Sequence, residues 1–225
     1  MKLSEITQFL EALAPLNYQE DYDNAGLIVG NQNDEVRAAL VSLDCTEEIV
    51  DEALATNCNL IISHHPIVFK GLKKLNGKNY VERVVLKAIK NNIALYAIHT
   101  NLDSVQHGVN AKICERLGIK NANILVPKSG ILKKLVTFCE HKDAENLRNA
   151  LFHAGAGNIS NYADCSFNTE GVGTFKGNEQ ANPVLGKVGV REYANETRIE
   201  VIFKQQEERS ILAALFQNHP YEEVA

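Results

Sequence analysis

The chain has 225 residues, 45% of them hydrophobic and 23% charged, enough to bury a core without disulfide or metal staples. Lys and Arg total 23 against 28 Asp and Glu, so the net charge is -5 and no overall basic field for gathering nucleic acid exists. No run approaches the ~18 apolar residues of a membrane span, and the first residues, with Glu5 and Glu11, lack a signal-peptide apolar stretch. Five cysteines (Cys45, Cys58, Cys114, Cys139, Cys165) are widely spaced with no CxxC pair, which predicts reduced, mostly buried thiols and a cytoplasmic protein.

Taken in chain order, Ser4 followed by Ile6, Phe9, Leu10, Leu13 and Leu16 reads as a capped amphipathic helix ending near Pro15. Residues 25–30 (AGLIVG) and 36–45 (VRAALVSLDC) are apolar runs bounded by turn formers, and are expected as strands. Thr46 caps a helix over 46–57 whose first turn carries acids, favourable at the positive helix end. NLIISHHP is the next strand, 80–91 a helix, IALYAIHT a strand, and 107–118 a helix closed by Gly118. Strands alternating with helices predict an α/β fold with a mostly parallel sheet flanked by helices. Runs such as LIIS and IALYAI suit strands covered on both faces.

The pattern changes near Val126-Pro127-Lys128-Ser129-Gly130, which places a boundary near residue 130. Beyond it, 133–140 is a strand, 143–157 a helix, 164–183 a hairpin or long loop, 197–204 a strand, and the stretch from Glu207 a helix. The order β-α-β-β-α is a ferredoxin-like α+β unit without its last strand. Two domains are expected: 1–130, α/β and carrying the chemistry, and 131–225, ferredoxin-like and incomplete at its end.

The strongest chemical signal is Ser63-His64-His65-Pro66 at the end of a buried strand. Adjacent residues of a regular strand point to opposite faces, but at a strand terminus the backbone turns and both imidazoles can face one crevice, where open α/β sheets bind ligands. The next strand ends similarly, in His99-Thr100-Asn101-Leu102-Asp103, and strands joined by a single helix are expected to be neighbours. His64, His65, His99 and Asp103 then share one edge, a set suited to zinc, iron, manganese or nickel rather than calcium. Asp23-Asn24-Ala25-Gly26 reads as a turn, with projection of a carboxylate towards the site as the less favoured alternative. Lys70, Lys73 and Lys74 suit a solvated loop as well as a phosphate site, and GVGTFKG (171–177) lacks the strand-to-helix context of a phosphate cradle and reads as a hairpin. His107 is expected to cap the helix it opens, and His141 and His153 to lie at the surface. No GxSxG occurs and no cysteine sits beside a histidine as an evident nucleophile.

Four segments together resemble the GTP cyclohydrolase I type 2 homologue family, also called Nif-three-like: Tyr22-Asp23-Asn24-Ala25-Gly26-Leu27, Ile61-Ile62-Ser63-His64-His65-Pro66, His99-Thr100-Asn101-Leu102-Asp103 and His219-Pro220-Tyr221-Glu222-Glu223-Val224-Ala225. Tyr22 departs from the Trp common there. The resemblance implies a two-metal site at the mouth of an α/β domain, with His64, His65 and Asp103 as ligands; beside them His99 is the candidate catalytic group, expected to orient a ligand or shuttle a proton. It implies a homohexameric ring and a PII-like insertion ending in the His-Pro-Tyr-Glu-Glu motif. It puts the remaining ligands, a His and a bridging Glu, in a segment after the insertion, inside which this chain ends; His219 and Glu223 match the insertion motif and are not assigned as ligands.

The activity so implied is hydrolysis of a nucleotide or phosphoester substrate with two divalent cations. The alternative is a metal-binding regulatory or scaffold protein whose PII-like domain senses a ligand, without catalysis of its own. Direct nucleic-acid binding gains nothing from the acidic charge.

Overall fold

A computed structural model describes residues 1–225, which divide into two compact units, Met1–Pro127 and Lys128–Ala225. No helix is long and apolar enough to cross a membrane.

The first unit opens with α1 (Leu3–Leu13), whose N-cap is Lys2 rather than Ser4: the Glu5 carboxylate accepts the Lys2 N–H at 2.6 Å, so an acid three residues on does the capping. A 3-10 turn (Leu16–Tyr18) leads to β1 (Gly26–Val29), then β2 (Ala39–Ser42), α2 (Glu47–Ala55), β3 (Leu60–Ser63), α3 (Tyr80–Lys90), β4 (Ala94–Ala97), the one-turn α4 (Thr100–Asp103) and α5 (Val109–Arg116). Thr46 caps α2 by accepting the Ile49 N–H, as its position predicts. Gly108, not His107, is the N-cap of α5, and the chain leaves that helix through Gly118 at φ +69°, the left-handed conformation glycine tolerates best.

The sheet order is β1-β4-β3-β2. β2, β3 and β4 run parallel, with Ser42 level with Ser63 and Ser63 level with Ala97, whereas β1 is antiparallel to β4. Both faces are covered, which is why LIIS and ALYA read as continuous apolar runs. Ile61 and Leu95 pack with Val50, Ala53, Val84 and Ala88 of α2 and α3. Leu60, Ala94 and Tyr96 pack on the other face with Leu3 and Ala14 from the α1 side.

The second unit contains β5 (Leu132–Glu140), α6 (Ala144–His153), β6 (Ser166–Phe175), β7 (Glu192–Lys204), a 3-10 turn (Gln205–Glu207) and α7 (Glu208–Asn218). Its antiparallel sheet has the order β5-β7-β6. Cys139, Ile199, Val201 and Phe203 on one face meet Leu147 and Leu151 of α6 and Ile211 and Leu215 of α7. The Gly-rich stretch over 164–183, expected as a hairpin or long loop, supplies β6 and part of the loop after it: 166–175 pair along ten residues of β7, with glycines at 171 and 173 inside the strand.

Candidate metal centre

The parallel strands deliver chemistry at their C-terminal edge. Past the end of β3, His64 N donates to Ser42 O (3.1 Å) and His65 N to Leu43 O (2.9 Å). In a regular strand successive N–H groups point to opposite sides, so two consecutive donations to one neighbour mark the break in alternation that lets adjacent imidazoles turn together. The Ser63 hydroxyl closes this turn by donating to His65 O (2.9 Å), and Pro66 is buried behind it. Past β4, His99 is the N-cap of α4. Its backbone N–H donates to the Asn101 amide oxygen (2.8 Å), and the fully buried Asn101 is anchored in turn on Ala14 O (2.7 Å).

His64, His65 and His99 thereby form one cluster, with a ring nitrogen from each within 4.8 Å of the others and ring centroids 5.0, 5.2 and 5.5 Å apart. Every Nδ1 in the cluster is engaged. His64 Nδ1 meets Ile98 O (2.9 Å), His65 Nδ1 the Asp44 carboxylate (2.7 Å) and His99 Nδ1 the Asp23 carboxylate (2.8 Å). A carbonyl and ionised carboxylates can only accept, so each Nδ1 carries a hydrogen, and in the neutral ring it is then Nε2 that has the lone pair. That is the tautomer a metal ion requires of imidazole, and carboxylate or carbonyl partners at the far nitrogen are its usual support. The chemistry of the donor set therefore fits a borderline divalent cation bound by three nitrogens with a position left open.

Asp23 is the best-held of these partners. Its side chain is fully buried and that of His99 is 17% exposed, while Asp44 and His65 are 57% and 48% exposed. Besides His99, the Asp23 carboxylate accepts from Asn24 N (2.7 Å), Thr100 N (3.1 Å) and the Thr100 hydroxyl. Burial pushes its carboxyl up, but the bonds from His99, Thr100 and the backbone outweigh burial and hold it below the ordinary aspartate value. The sequence reading that favoured a plain turn at 23–26 is thus corrected: the turn lies at 21–22, residues 23–25 lead into β1, and the Asp23 carboxylate is delivered to His99. Asp44 was not singled out at all. Its signal was its place, two residues beyond the end of β2.

Asp103, expected beside the histidines, ends α4 and is outside the cluster of three nitrogens; its carbonyl accepts from Asn110 Nδ2 (2.9 Å). Lys70, Lys73 and Lys74 are exposed. All five cysteines are free, and burial pushes the Cys45 thiol, nearest in sequence to the site, up to about 11, so it offers no thiolate at neutral pH. In the second unit, His141 bonds the Thr197 hydroxyl (2.7 Å) and His153 the Asn149 carbonyl (2.6 Å), both away from any such cluster.

Known proteins match nearly the whole chain. The family described as Duf34/NIF3 (NGG1p interacting factor 3) matches residues 1–212. A protein of Halalkalibacterium halodurans named GTP cyclohydrolase 1 type 2 homolog is 39% identical over 221 residues, 98% of this chain and 59% of that protein. One of the same name from Bacillus subtilis is 38% identical over 222 residues, 98% of this chain and 60% of that one. The chain thus spans about 60% of the length of these curated relatives. A crystal structure of a Bacillus cereus protein related to NIF3 superposes with a TM-score of 0.78 at 40% identity, covering 100% of this chain and 60% of the other.

Proposed function

The chain belongs to the Duf34/NIF3 family, and from that premise we propose that its first unit is the metal-holding part of a metal-dependent hydrolase acting on a nucleotide or phosphoester. The observation that carries this reading is that three imidazoles bring a ring nitrogen each within 4.8 Å of one another while all three Nδ1 atoms are engaged by oxygen acceptors, so that Nε2 is the atom each neutral ring has to offer a cation. Three neighbouring imidazoles, each backed by an oxygen acceptor, have no such need in an ordinary surface cluster, where bringing them together is only a cost once they protonate.

His64 and His65 hold the cation, oriented by the Ile98 carbonyl and by Asp44. His99, oriented by Asp23, offers the third nitrogen; left uncoordinated, the same atom takes a proton from water or substrate. Asp103, one turn after His99, supplies a carboxylate for a second cation, as the family resemblance implies. A divalent cation bound here supplies Lewis acidity and lowers the pKa of water. The relatives' name, GTP cyclohydrolase 1 type 2 homolog, makes a purine nucleotide the first substrate to try.

The test is metal content and turnover together. The chain is reconstituted with zinc, iron, manganese or nickel in turn, analysed for bound metal, and assayed against GTP and phosphodiesters. The Bacillus subtilis relative is assayed in parallel. The reading expects metal to be lost in His64→Ala and His65→Ala, and hydrolysis to vanish with it. Metal retained in both variants, or a metal-loaded chain that turns over none of these substrates, overturns it. His99→Ala separates the two uses of that residue: loss of metal makes it a donor, and retained metal with lost turnover makes it the proton carrier.

A further inference from the structure

The second unit holds a cavity of about 480 Å³, a size that suits a small organic ligand. Its walls are largely apolar, and aromatic rings come from three directions: Phe138 on β5, Phe175 at the end of β6, and Tyr221 beyond α7. The loop over residues 178–185 forms another side and is tied to the segment after α7, because Asn182 N donates to the Glu222 carboxylate at 2.7 Å.

From the sheet, the fold puts the carboxylate of Glu196 on β7 against this apolar space. Tyr221 donates its hydroxyl to Glu196 Oε1 at 2.8 Å, and no protein group donates to Oε2. Gly173 on β6 lies diagonally across from Glu196, two residues along from its partner Gly171, and a Cβ there would stand only 1.9 Å from Oε2; the missing side chain is what leaves room for this oxygen. Tyr221 is kept protonated by burial and by the Glu196 charge, so its hydroxyl stays a donor. Glu222 and Glu223 also line the cavity and Lys176 is the one cationic side chain there, three carboxylates against one ammonium. Arg198 stands over the Phe138 ring at 5.6 Å but is paired with Glu200 at 2.7 Å, so its charge is already answered.

We propose that this cavity is a binding site for a small organic cation, an ammonium group carried on an apolar body, with Glu196 Oε2 taking the charged end and the Phe138, Phe175 and Tyr221 rings the rest. The favourable terms are a charge-assisted hydrogen bond to an oxygen that lacks a donor, and the attraction of a cation for aromatic faces. The site is independent of the imidazole cluster.

The test uses three probes of one size: 2-phenylethylamine, its neutral counterpart 2-phenylethanol, and the anion 3-phenylpropionate. Binding to the whole chain is followed by chemical shifts of residues 173–177 and 219–225. The amine is expected to bind at least about tenfold more tightly than the alcohol, the worth of one hydrogen bond to a charged group, and the anion more weakly than either. Glu196→Gln keeps the acceptor for Tyr221 and should abolish the preference for the amine. Leu185→Trp fills the cavity and should remove both, with a thermal melt to show that the variant is folded. Equal binding of amine and alcohol by the unmodified chain, a preference that survives Glu196→Gln, or binding that persists in folded Leu185→Trp overturns the proposal.

Discussion

Replacing Asp23 tests whether the imidazole cluster is held in shape for a metal or is merely assembled. The carboxylate serves four donors: His99 Nδ1 at 2.8 Å, Asn24 N at 2.7 Å, Thr100 N at 3.1 Å, and the Thr100 hydroxyl. Asp23→Ala strands all of them in a place where the side chain has no exposure. Each bond to a charged acceptor contributes about 1.5–3 kcal/mol, but four donors on one carboxylate do not add independently, and a loss of about 3–5 kcal/mol is expected, as when one partner of a buried pair is removed. Asp23→Asn is gentler. Its Oδ1 still serves His99 and Asn24, the Thr100 hydroxyl can rotate to accept from the new amide, and only Thr100 N–H loses its acceptor, about 1–3 kcal/mol. Zinc affinity should follow the same order. Removing the partner of a metal-binding imidazole costs about 10–100-fold, so Asp23→Ala should fall in that range and Asp23→Asn should lose clearly less. Urea unfolding without metal gives the first quantity, and zinc titration calorimetry of the folded proteins gives the second. A folded Asp23→Ala protein with undiminished zinc affinity would refute the orienting role.

Two further outcomes test the fold around the two sites. Burial holds the His219 imidazole below its ordinary value, against the opposing pull of the Phe138 carbonyl and the Glu196 charge. The folded chain therefore favours neutral His219, with Nε2–H donating to Phe138 O (3.0 Å) and Nδ1 accepting from Tyr221 N (3.2 Å). With its folded pKa below the unfolded one, its contribution is complete above about pH 6.5 and is lost as pH falls through the folded value; urea midpoints between pH 7 and 5 should drop more steeply for the unmodified chain than for His219→Gln, and equal slopes would contradict this. Asn79→Ala removes the α3 cap, where the side chain accepts Glu82 N (2.9 Å) and donates to the Glu82 carboxylate (2.9 Å). A loss of about 1 kcal/mol is expected, with faster amide exchange at Asn76 and Lys78, whose N–H groups also rest on Glu82; unchanged exchange there would detach the loop from the cap.

Much of the architecture could be read because hydrophobic period and burial coincide. LIIS and ALYA are apolar but for Ser63 and the Tyr96 hydroxyl and are buried or half-buried at every position, as suits strands covered on both faces, and β3 and β4 are indeed parallel neighbours. What escaped the sequence was decided by partners distant along the chain. The glycines at 171 and 173 carry no strand propensity, and β6 exists because β7 offers it ten paired positions. α4 is a single turn, too short for any periodicity, and it is pinned by Asn101 reaching back to Ala14. The short run GLIV gave no hint of direction, yet β1 lies antiparallel on β4, with Gly26 level with Ala97.

That reversed strand explains why half of the site was legible and half was not. Ser42, Ser63 and Ala97 are level across the three parallel strands. Counting two residues on from each gives Asp44, His65 and His99, so the edge that revealed the histidines also contained Asp44, for a reader who carried the count to β2. Asp23 obeys a different rule. Because β1 starts rather than ends at this edge, the residues before it, not after it, are the ones delivered to His99. Spacing along the chain cannot show this, since 76 residues separate the partners, and only the direction of β1 brings them together. The imidazoles follow from strand ends and local turns, whereas the carboxylates that fix their tautomers depend on sheet order. Substitutions that tilt or detach β1 should therefore disturb metal affinity through Asp23 even though none of that strand's own residues belongs to the cluster of nitrogens.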